Sequence, residues 1–68
     1  MAEPGIQTAY FNSSAIKSAD YDPSTGRMTV YFVKGNHTVV PGVGLQEFKQ
    51  FAESESAGTF FNAHFRGR

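Results

Sequence analysis

Chemistry in this chain has to come from few side chains. It has two histidines, His37 and His64, two aspartates, Asp20 and Asp22, and no cysteine. The missing thiols exclude a Cys nucleophile, a thiolate metal site and disulfides. Asp20 and Asp22 lie two apart, a spacing that on a strand puts both carboxylates on one face. Such a pair can in principle hold a cation. Asp22, however, opens the run Asp22-Pro23-Ser24-Thr25-Gly26, a strong turn signal, so the plainer reading is a turn-forming Asp beside a solvated one. No Ser/His/Asp pattern with a strained elbow is visible, and Gly42-Val43-Gly44 lacks the third glycine of a phosphate-cradling loop. Two histidines and these carboxylates show no metal-ligand spacing. The expectation is no catalytic residue, no metal and no cofactor.

What remains is the chemistry of binding. From Ser56 onward there is no acid, while His64, Arg66 and Arg68 follow. Cations late in a helix suit its dipole, so stability alone explains that order. The functional reading is an arginine pair that grips phosphate or an acidic partner. Tyr10 and Tyr31 have two readings: exposed on the outer sheet face as interface anchors or stacking surfaces for bases, or half-buried with the hydroxyl in water. Lys17, Arg27 and Lys34 would extend a basic strip over the sheet. The candidate binding set is therefore Arg66, Arg68, His64, Tyr31, Arg27 and Lys17.

The chain that must position these groups has 68 residues, enough for one small domain. At 40% hydrophobic and 15% aromatic it is too apolar for a disordered tail. Six Lys+Arg balance six Asp+Glu, which excludes a broadly basic nucleic-acid coat and an acidic mimic of one. The N-terminus has neither the basic flank nor the apolar run of a signal peptide, and no stretch approaches the roughly 20 apolar residues that span a bilayer. A secreted domain this small would usually need disulfide staples, so the cytoplasm of a bacterial or phage-infected cell is the expected location.

Residues 1–13 read as a loose arm with a short extended piece at Thr8–Phe11, and residues 14–68 as the single domain. Ser14–Tyr21 reads as a strand whose alternation is too weak to choose an inward face. The Asp22–Gly26 turn leads into Arg27–Val33, the strongest strand, with Met28, Val30 and Phe32 on one face. Lys34-Gly35-Asn36 reads as a hairpin turn into a third strand, His37–Val40, which Pro41 ends. Leu45 to about Glu53 reads as a short helix with Leu45, Phe48, Phe51 and Ala52 on its apolar stripe. Ser56 is a candidate N-cap for a second helix carrying Phe60, Phe61, His64 and Phe65. A strand with Phe61, Ala63 and Phe65 inward is the alternative there, because periodicity over so few residues does not decide.

This order of signals resembles the KTSC domain, a short domain at the C-terminus of some lysyl-tRNA synthetases that also occurs alone in small bacterial and phage proteins. The resemblance rests on Ser14 and Ile16, Tyr21-Asp22-Pro23, Val30 and Phe32, the Gly35 turn and Val43. It closes on Ser56-Ala57-Gly58-Thr59-Phe60-Phe61-Asn62 and Arg66. The S-x-G-x-F-F stretch implies either a close approach at Gly58 or a turn that only Gly completes. The chain departs from the family at its central Y-x-Y, where it carries Thr38-Val39-Val40, and at a V-P ahead of the helix, where it has Gly44. A suggested RNA-binding role comes with the resemblance; base-stacking tyrosines at 38 and 40 would be lost here.

The sequence thus predicts an α+β domain: a three-stranded antiparallel meander followed by two short helices packed on one face. It predicts a non-catalytic binding module for a protein partner, with nucleic acid as the alternative ligand, no membrane association, and a monomer or weak homo-oligomer.

Overall fold

A four-stranded antiparallel sheet, not a three-stranded one, organises the molecule. In the computed structural model, which describes residues 5–66, the strands are β1 (Gln7–Tyr10), β2 (Ile16–Asp22), β3 (Arg27–Phe32) and β4 (His37–Val40), followed by helices α1 (Leu45–Ala52) and α2 (Ala57–His64). The strands pair in chain order, each with its sequence neighbour. The strand beyond the expected three is β1, which lies in the stretch that composition marks as an arm. Its four residues pair with Ser18–Tyr21 of β2, and Ala9 faces Ala19 across the core side. The extended piece expected at Thr8–Phe11 is thus a strand of the sheet, starting one residue earlier; so short and polar a segment has too little pattern to show that it pairs.

The weak alternation of β2 has a structural cause. Ser18 pairs with Tyr31 and Ile16 with Phe32, so Lys17 is the extra, unpaired residue of a β-bulge. The bulge lets Ile16 and Ala19, three apart, both turn inward and be buried. A strict period of two fails across that point.

Turn chemistry follows the sequence. Asp22 O accepts from Gly26 N at 2.8 Å and Asp22 Oδ1 accepts from Ser24 N at 3.0 Å. Gly26 takes φ +75°, the region that favours glycine. The carbonyl of Gly26 then accepts from Val43 N at 2.8 Å, tying this hairpin to the segment leading into α1. At the other end, Phe32 N donates to Asn36 O and Gly35 N to Phe32 O, closing a tight turn with Gly35 at φ +104°.

Both helices pack on one face of the sheet, where all the buried apolar side chains meet in a single cluster. Phe51 and Phe65 are its largest fully buried members. Phe48 stacks on Tyr21 with ring centroids 4.8 Å apart, and the Tyr21 hydroxyl donates to Val43 O at 2.7 Å, so this buried phenol is satisfied. Leu45, expected on the apolar stripe, is exposed; Val43 fills the space ahead of the helix instead. The second helix forms as the cap implies, with the Ser56 hydroxyl accepting from Thr59 N.

Candidate functional site

The opposite face of the sheet carries no helix. Alternation and register assign its side chains: Thr8 and Tyr10 from β1, Ser18 and Asp20 from β2, Arg27, Thr29 and Tyr31 from β3, His37 and Val39 from β4. Residues paired across neighbouring strands form rows. One row runs Tyr10–Ser18–Tyr31–His37 and the next Thr8–Asp20–Thr29–Val39. The rings of Tyr31 and His37 meet at 5.8 Å between centroids. Tyr10, Tyr31 and Val39 are all exposed, at 81%, 38% and 49%. The result is an open strip of two phenols, an imidazole and a valine across the bare face of the sheet.

Charge on this face shows no basic excess. Asp20 and Asp22 stand against Arg27, which pairs with Asp22, and Lys17 is exposed at the bulge. Asp22 is held below the ordinary aspartate range, first by the Ser24 hydroxyl donating to Oδ1 at 2.6 Å and then by the Ser24 N–H. Asp20 accepts from the Thr8 hydroxyl at 2.7 Å. Both carboxylates therefore have structural partners. Among the described residues no group of three or more His, Cys, Asp or Glu side chains could hold a metal ion. No helix among them is long and apolar enough to cross a membrane.

The candidate binding residues do not form one site. Tyr31 and Arg27 share the bare sheet face but stand at opposite ends of β3, roughly 13 Å apart along the strand. Lys17 is the exposed bulge residue, next to the Ser18 that pairs with Tyr31. His64 and Arg66 belong to the helical layer on the other side of the sheet. The His64 ring stacks on Phe60 at 4.1 Å, and Arg66 is exposed just beyond the helix, its N–H bonded to Phe61 O. Arg68 lies outside the described residues. A continuous basic strip over the sheet and the C-terminal segment is therefore absent among the described residues. His37 is the residue that sequence reasoning passed over. Its signal was the tight turn at Gly35, which once placed sets His37 opposite Tyr31.

A depression lies at the Gly35 end, a cleft of about 290 Å³ lined by Ser14, Ala15, Phe32, Lys34 and Asn36. Pockets that enclose ligands typically start near 300 Å³, so this one is small. Phe32 meets Phe61 edge-on there at 5.5 Å. Gly58 nearby is not a point of unusually close approach: a Cβ there would meet only Ala15 Cβ, at an ordinary 3.6 Å. The buried small residue of that stretch is Ala57. The hydroxyl of buried Tyr21 is committed to Val43 O.

A family model described as the KTSC domain matches residues 12–68. Among solved structures, the chain is similar to a KTSC domain protein from Yersinia pestis, at 26% identity and a TM-score of 0.84, covering 94% of this chain and 90% of that one. No curated protein matches the chain. The positions where the family pattern places its two tyrosines, Thr38 and Val40, lie on the helix-covered side of the sheet. Val40 is buried opposite Met28 and Thr38 is half-buried opposite Val30. A tyrosine at 40 would be a core residue, so the departure there changes packing, not an exposed stacking surface.

Proposed function

Because this chain belongs to the KTSC domain family, we propose that it acts as a non-catalytic binding module whose bare sheet face docks a protein partner. One observation carries this reading: exposed Tyr31, Tyr10 and Val39 share a bare sheet face with no basic excess. Exposed tyrosines are favoured interface anchors, since they add large apolar area at small entropic loss. The lack of a basic excess suits a protein surface better than a phosphate backbone, which calls for one. His64 and Arg66, on the other side of the sheet, then lie outside the contact.

RNA is the second reading. The observation that favours it is the transverse row of rings, which has the form of a platform on which unpaired bases stack. Against it stands the absence of a basic surplus on that face.

The two separate in one experiment: capture of partners from the producing cell on the immobilised chain, with and without nuclease, repeated with Tyr31→Asp and with Arg66→Ala. A protein partner is expected to survive nuclease, to be lost with Tyr31→Asp and to remain with Arg66→Ala. Capture that disappears with nuclease, together with steeply salt-dependent binding of single-stranded RNA by the purified chain, favours the second reading.

A further inference from the structure

The two edges of the sheet are not equivalent. The hydrogen bond from Phe11 N to Lys17 O fixes which β1 residues bond to β2. Antiparallel pairs alternate between bonded and non-bonded, so Ala9 and Gln7 also bond inward, while Thr8 and Tyr10 direct their N–H and C=O groups away from the sheet. On β4, the bond from Phe32 N to Asn36 O sets the same alternation and leaves His37 and Val39 directed outward. The next outward position there is Pro41, which has no N–H, so that edge is short and blunted. The β1 edge offers one more outward position than β4 before a proline is reached, at residues 6, 8 and 10. Residues 5–12, Gly-Ile-Gln-Thr-Ala-Tyr-Phe-Asn, contain no proline and no charge.

We infer that β1 is a self-pairing edge, on which a second copy of this chain adds antiparallel, Thr8 against Thr8, to join two sheets into one. The register follows from the side chains. Tyr10 and Ile6 are the two most exposed large apolar residues, at 81% and 58%. Tyr10 shares the bare face with Thr8, and continued alternation puts Ile6 there as well. Placing Thr8 on the two-fold axis sets Ile6 of each copy opposite Tyr10 of the other, so each copy covers the other's most exposed apolar groups. About six backbone hydrogen bonds form, from residues 6, 8 and 10 of each copy. An uncharged edge on a chain of zero net charge meets no electrostatic repulsion from its own copy. A closed isologous pair of this kind satisfies both edges at once, which a chance peptide strand does not. The contact is small, so the dimer is concentration-dependent. Self-pairing does not rest on the partner-docking reading: its hydrogen bonds come from the β1 edge, and Tyr10 is the one residue that both use.

Sedimentation of the full chain over a concentration series tests it. The unmodified chain is expected to move from monomer to dimer with rising concentration. Thr8→Pro removes an N–H that makes no bond to β2, so the fold should persist while the dissociation constant rises tenfold or more. Thr8→Lys places like charges on the two-fold axis and should act the same way, which covers the case in which the proline variant misfolds. The chain has no cysteine, so Thr8→Cys should form a disulfide-linked dimer on mild oxidation, whereas Gln46→Cys, on α1, should not. Tyr31→Asp should leave the equilibrium unchanged. A chain that stays monomeric throughout overturns the inference, and so does a dimer that tolerates both Thr8→Pro and Thr8→Lys.

Discussion

Two faces of one sheet are built from the same strands yet have opposite fates. Both carry aromatic side chains. On the covered face Tyr21, Phe48, Phe51 and Phe65 are buried in one cluster, with rings meeting at 4.8 Å and 5.2 Å. On the bare face Tyr10 lies in solvent and Tyr31 is partly exposed. Aromatic content alone therefore does not measure the core of a small domain. What separates the faces is the short chain left after β4, which forms two helices and covers one side only. Stability should reside almost wholly on the covered side, leaving the other face free to change at small cost to folding.

The largest test of that division is a paired truncation. Phe51→Ala should destabilise by about 3–5 kcal/mol, because it removes a fully buried ring that meets Phe11, Phe60 and Phe65. The whole domain holds about 3–10 kcal/mol at this length, so that loss removes from about a third to all of it. Tyr31→Ala should cost no more than about 1 kcal/mol, from lost strand propensity and the cross-strand contact with His37. Urea unfolding of both variants measures the contrast; comparable losses would break it.

The two glycine turns sharpen the comparison at intermediate scale. Gly26 and Gly35 both have positive φ, so Ala at either should cost about 1–2 kcal/mol. Only at Gly26 would the new Cβ meet backbone, Val43 O at 3.3 Å; at Gly35 it meets nothing within 4 Å. Gly26→Ala should therefore lower the thermal midpoint more than Gly35→Ala, since its turn is tied to the helical layer.

The smallest effect belongs to Asp22 on the bare side. Its folded pKa is lowered, chiefly by the Ser24 hydroxyl. A group with a depressed folded pKa stabilises above its unfolded value and loses that stabilisation as pH falls through the folded one. A small loss is thus expected below about pH 4, the ordinary aspartate range. Asp22→Asn should flatten that part of the stability profile in a pH series of thermal melts.

Local chemistry was readable without the fold. The Asp22–Gly26 and Gly35 turns, the Arg27–Phe32 strand and the Ser56 cap each depend on residues adjacent in sequence, so their signals survive in one dimension. The family likeness was legible for the same reason, as an order of such local signals. Other features needed the third dimension. The first strand is polar and four residues long; it exists because β2 offers it a ladder. The Lys17 bulge broke the alternation from which a face is read. The split of the basic residues between two sides of the sheet, and the pairing of His37 with Tyr31, depend on register and on which face the helices chose. Sequence determined which segments turn, extend and coil, because those preferences are properties of a few neighbouring residues. Tertiary structure alone decided which aromatic rings became core and which became surface, because burial is a contest among distant segments for the single face that the two helices cover.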